Sequence, residues 1–158
     1  MIMTIGYDGR GFTTADLAKI LDDTGAILVD ARLTPFSRIK GWGTVQLKAA
    51  IGADRYLSRK DLGAGNITAA ALDWLEETYY HPGAPHCVLL CKEENPGACH
   101  RHHNICAGRF PDAIHIYREN CMSAAEYDDL LENNIEPDTL VPTADLHGFI
   151  EHCESLAG

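Results

Sequence analysis

Ala26-Ile27-Leu28-Val29 is a short, wholly apolar run that ends abruptly in Asp30-Ala31-Arg32. Four apolar residues without alternation mark a strand covered on both faces, as in a parallel sheet. Upstream, Met3 to Gly6 reads as a second short strand that runs into a tight loop at Gly6-Tyr7-Asp8-Gly9. Between them, Thr13 or Thr14 caps a helix that sets Leu17, Ile20 and Leu21 on one face and stops at Gly25. Strand, helix and strand in that order form a right-handed crossover unit.

The pattern repeats downstream. Cys87-Val88-Leu89-Leu90-Cys91 is another buried strand, preceded by a helix capped by Thr68 with Leu72, Leu75 and Tyr79 on one side and broken at Pro82-Gly83. Ala113 to Tyr117 is a further strand. Leu33 to Gly43, with Pro35, Ser37, Gly41 and Gly43, reads as a long surface loop, followed by a short helix over 45–51 and a strand near Tyr56-Leu57. Two acidic helices, from Ser123 and from Thr143, close the chain with ordinary packing stripes. The expectation is one three-layer α/β domain over 1–158 with a mainly parallel sheet, Rossmann-like or rhodanese-like in topology. Residues 118–158 are expected to form an acidic helical extension packed on a core spanning 1–117.

At 158 residues, 46% hydrophobic and 23% charged, the composition is that of an ordinary globular domain. No apolar run approaches the roughly 20 residues of a membrane span, and no signal peptide is visible. Six cysteines without an export signal point to a reducing, cytoplasmic setting with free thiols. The net charge of −10 argues against non-specific coating of nucleic acid. Yet seven basic residues fall between Arg32 and Lys60 against one acid, whereas the chain from Glu119 onward carries ten acids and no Lys or Arg. Such a division draws an anionic ligand to one place.

Ligands of open parallel sheets sit beyond the carboxyl ends of the strands. Three strand ends bring Tyr7-Asp8, Asp30-x-Arg32 and Cys91-x-Glu93 to that edge. After Pro96-Gly97, Cys99-His100-Arg101 opens a helix, whose field and neighbouring cations favour a Cys99 thiolate. Arg32, Arg38 and Arg101 then clamp a small phosphorylated or nucleotide-like anion, with Tyr7, Asp8, Ser37 and Trp42 lining the site. Glu93 or Asp30 serves as general acid/base or nucleophile, supported by Cys91, Cys99 and His100. The reading is a hydrolase or transferase.

Each group has a plainer use. Cys91 suits a small buried hydrophobe, Glu93 a helix cap, Asp30 a structural partner for Arg32 or Arg101, and His102 a packed side chain. Cys91, Cys99, His100 and His103 are conceivable ligands of a transition metal. Cys91 and Cys99 do not have the usual C-x(2–4)-C spacing, however, and neighbouring side chains diverge on a helix. No cofactor or metal is therefore expected. The rivals to the enzyme are a nucleic-acid-binding or processing module using the basic 32–60 stretch with Trp42 stacking on a base, and a thiol-based metal or redox protein. No G-x-G-x-x-G, P-loop or G-x-S-x-G pattern occurs. The motifs specify neither the substrate nor the oligomeric state.

Thr4-Ile5-Gly6, Leu28-Val29-Asp30-Ala31-Arg32 with Pro35-x-Ser37-Arg38, Leu62-Gly63, and Leu89-Leu90-Cys91-x-Glu93…Cys99-His100-Arg101 stand in an order that resembles the domain of unknown function 488 family, from about Thr4 to Tyr117. The resemblance implies a compact α/β fold and no particular activity. Where that family commonly has His-Ser after the first Ile-Gly, this chain has Tyr7-Asp8. The layout is also similar in topology to rhodanese-like domains. Acidic Glu93 and Glu94 beside Cys91 oppose a persulfide there, which ranks sulfur transfer low.

Overall fold

A computed structural model describes residues 1–8, 13–117, 120–133 and 151. The apolar runs become parallel strands: β1 (Ile2–Asp8), β2 (Ile27–Asp30) and β4 (Cys87–Glu93), with a three-residue β3 (Tyr56–Ser58) and β5 (Ile114–Tyr117). A sixth strand, β6 (Asn120–Ser123), turns back antiparallel on β5. The order across the sheet is β3-β2-β4-β1-β5-β6, so β4 enters between the first two strands of the chain. This is the expected α/β architecture with a mainly parallel sheet.

Helices cover both faces. On one lie α1 (Thr14–Thr24) and α2 (Thr44–Ile51), over Ile5, Leu28, Val88 and Leu90. On the other lie α3 (Ala69–Tyr79) and a single π-helical turn, Arg101–Cys106, over Val29, Leu89 and Cys91. Burial on both sides explains why the strands read as continuous apolar runs. Thr13 caps α1 through a reciprocal box with Asp16, and Gly25 ends it in the left-handed region at φ 67°. Thr68 caps α3 and Ser123 caps α4 (Ala124–Glu132), the first acidic helix.

Three expectations change. Tyr7 and Asp8 extend β1 instead of forming a loop, because they pair with β4 as far as Asp8 opposite Glu93. The chain beyond Tyr117 begins as a sheet edge, not as a helical extension, since residues 120–123 take up the β5 hydrogen bonds. Cys99 precedes the helix instead of opening it: its backbone is extended, at φ −126° and ψ 142°. The helix expected from Thr143 lies outside the described residues. Among the described residues, no helix is long and apolar enough to cross a membrane.

Candidate functional site

The three expected groups reach one edge of the sheet but not one cavity, because strand alternation sends them to opposite faces. Asp30 lies two residues beyond Leu28, on the α1–α2 face. Its carboxylate accepts from Arg32 Nε at 2.8 Å and Nη2 at 2.6 Å, and from the Tyr56 hydroxyl at 2.5 Å. Arg32 donates further to the Trp42 carbonyl at 2.6 Å and the Tyr7 hydroxyl at 3.3 Å. Tyr7 stacks on Trp42 with centroids 4.8 Å apart. Asp30, Arg32, Tyr7 and Trp42 are all buried. A guanidinium paired bidentately to a buried carboxylate has its charge already answered, so this cluster ties the 33–43 loop to the sheet and is no anion clamp. Trp42, sealed beneath Tyr7, offers no face to a base.

Arg101 is also not a ligand fork. It is wholly buried, and its Nε donates to Thr4 Oγ1 at 3.1 Å. Its two terminal nitrogens donate to the carbonyls of Glu93 and Glu94, the latter at 2.6 Å. These bonds hold the end of β4 where it folds over β1. Gly6 makes the approach possible: a Cβ there would sit 1.7 Å from the Glu93 carbonyl oxygen. The remaining expected residues do not join a site. Ser37 Oγ accepts from the Ile39 amide at 3.0 Å in a local turn. Arg38 is exposed, and Asp8 pairs with Lys92 at 3.5 Å. Glu93 is exposed two residues beyond Cys91, on the same side of the strand.

The α3 face does gather reactive groups. Cys91 comes from β4. Cys99 and His100 return to it because Asn95 caps a 3₁₀ turn at Pro96–Ala98, and the extended Cys99 lets consecutive side chains converge. The expectation that Cys99 and His100 diverge is thus corrected by the backbone. His100 Nε2 lies 3.6 Å from Cys91 Sγ, and Nδ1 lies 3.7 Å from Cys99 Sγ. The Arg101 amide donates to Cys99 Sγ at 3.5 Å. The three donor atoms fall within 4.8 Å of one another, a grouping able to hold a metal ion. Cys91 is 0% exposed and Cys99 2%, so only the partly exposed imidazole touches the surface.

The electrostatics separate the two thiols. The hydrogen bond from Cys91 is the largest cause holding the Cys99 thiol far below its ordinary range; His100 and the Arg101 charge and amide add to it against burial. The same bond, then burial, pushes Cys91 well above its ordinary range. Burial works against a charge on His100, yet its bond to Cys99, the Leu62 carbonyl and nearby Glu93 raise its pKa. These directions favour a thiolate at Cys99 over one at Cys91, with the His100 ring between the two sulfurs. Such a thiolate can attack a small electrophile, or ligate a soft ion.

Sequence reasoning missed the supports. From Arg101 and Thr4, the Thr4 hydroxyl donates to His115 Nδ1 at 2.7 Å. His115 Nε2 faces His102 Nδ1 at 2.9 Å, and His102 Nε2 faces Asp128 at 2.9 Å. With both imidazoles neutral, one consistent donor direction runs from Arg101 to Asp128. Burial is the chief cause that lowers the pKa of both. The signal was present: Thr4 and His115 are polar residues inside apolar strands. Tyr127 of α4 is a second support, donating to Asn95 Oδ1 at 2.5 Å and accepting from the Gly97 amide at 3.0 Å. No protein-family model, curated protein or solved structure matches the chain.

Proposed function

We propose that the protein is a thiol-dependent enzyme acting on a small, anionic electrophile, with Cys99 as nucleophile. The observation that carries this reading is the Cys99 sulfur set between the His100 ring, at 3.7 Å, and the Arg101 amide, at 3.5 Å. In the step, Cys99 sulfur bonds to the electrophilic carbon or phosphorus. The leaving group departs with its electron pair and takes a proton from the His100 imidazolium. Cys91 keeps its proton and stabilises the thiolate before attack. Exposed Glu93, whose charge acts on the His100 ring, is the carboxylate offered for activating the water that releases the adduct. The near-complete burial of both sulfurs restricts substrates to compounds small enough to pass the imidazole.

This reading keeps the expected substrate class and moves the chemistry from Glu93 and the arginines to Cys99. The D-x-R…P-x-S-R and C-x-E…C-H-R segments support placing the chain with the domain of unknown function 488 family. The test is intact mass spectrometry of the reduced full chain after exposure to acyl phosphates, small thioesters and phosphate esters. A transient adduct on Cys99, absent from Cys99→Ser, is expected. Turnover undiminished in Cys99→Ser would overturn the assignment.

A further inference from the structure

We infer that Cys91, Cys99 and His100 also form a three-ligand site for a soft transition-metal ion of the zinc class. The spacing comes first. Tetrahedral zinc, with bonds of roughly 2.3 Å to sulfur and 2.0–2.1 Å to nitrogen, sets neighbouring sulfur and nitrogen donors about 3.6 Å apart. The sulfur–imidazole contacts here are 3.6 and 3.7 Å. These contacts use different ring nitrogens; counted with a single nitrogen, the three donor atoms lie within 4.8 Å of one another, so binding draws them closer.

Charge balance is the second argument. A divalent ion bound by two thiolates and a neutral imidazole is neutral overall, which suits a pocket where Cys91 is 0% exposed. Binding releases the Cys91 proton, and also the His100 proton where the ring is charged. The donor types come third: two sulfurs and one nitrogen, with no carboxylate in the set, select zinc-class ions over magnesium or calcium. The surroundings already supply outer contacts of the kind that orient ligands. The Leu62 carbonyl engages the His100 ring, and the Arg101 amide donates to Cys99.

The inference goes beyond the thiol reading and competes with it, because the ion occupies the sulfur lone pair that attack requires. A loaded site is therefore silent as a nucleophile, and the two uses fail separately. The test takes the reduced, chelator-stripped full chain and titrates it with cobalt(II) as spectroscopic probe, then with zinc as competitor. One equivalent of cobalt should give a thiolate charge-transfer band, and one equivalent of zinc should abolish it. Cys91→Ser, Cys99→Ser and His100→Ala should each weaken binding by about 100-fold or more, whereas Cys106→Ser, outside the ligand set, should bind as the parent does. Circular dichroism of each variant guards against unfolding. Absence of the band in the parent chain, or a band unchanged in a folded Cys91→Ser or His100→Ala, would overturn the inference. Mass adducts on Cys99 of the metal-free chain report on the nucleophile alone, whatever the cobalt result.

Discussion

At the scale of single residues, the edge of the sheet depends on what is absent at position 6. Any side chain there meets the Glu93 carbonyl, and the carbonyl cannot retreat because Arg101 grips it from below. Gly6→Ala is therefore expected to cost about 1–3 kcal/mol through overpacking and to displace Cys91, which pairs with Gly6. Urea denaturation and the rate of Cys99 alkylation should both register it. The sequence identified Cys91, Cys99 and His100 individually, since their types carry the chemistry. It offered the structural Asp30–Arg32 pairing that is found, but not that Arg101 is consumed by backbone carbonyls. A guanidinium that binds carbonyls and one that binds substrate look alike in a sequence; only burial separates them.

Among the elements, those announced by strong local signals were legible: caps at Thr13, Thr68 and Ser123, and the apolar runs of β2 and β4. The strand β6 was not, because four residues reading Asn-Cys-Met-Ser carry no alternation and pair only through contact with β5. The sequence places the helix start at Cys99, directly after the Pro96-Gly97 turn, which hides the convergence of an extended Cys99 with His100. That turn is held from outside by α4, through the Tyr127 hydroxyl. Tyr127→Phe leaves Asn95 Oδ1 and the Gly97 amide each one partner short, and about 1 kcal/mol of stability should be lost. Cys99 alkylation should change more in this variant than in an exposed α4 control such as Glu132→Gln. Equal behaviour of the two would remove α4 from the support of the site.

Across the whole molecule, the sheet works as a partition. Its α1–α2 face carries the closed Asp30–Arg32–Tyr56 knot, and its other face carries Cys91 and Cys99, with the histidine chain between Thr4 and Asp128 on that side. Burial is the chief cause that lowers the pKa of His102 and His115 in the fold, while a free histidine protonates near 6.5. Below that pH the unfolded chain binds protons the folded chain refuses, so stability is full above about pH 6.5 and falls as the pH drops. Urea midpoints at pH 7.5 and 5.5 test this, and His115→Gln should shrink the difference. The sequence made the α/β class and the shared edge legible, because both follow from the order of elements. Which face each group takes depends on register, and the partition of the chemistry appears only with the strands in place.

A Cys99 thiolate held by its neighbours shows itself in how its alkylation depends on pH. The metal-free, reduced chain is alkylated with iodoacetamide from pH 5 to 9, and the rate at Cys99 is read by peptide mass spectrometry. A rate that is nearly level over this range is expected, since the sulfur is charged throughout. A rate that climbs about tenfold per pH unit towards an ordinary thiol value near 8.5 would contradict the account.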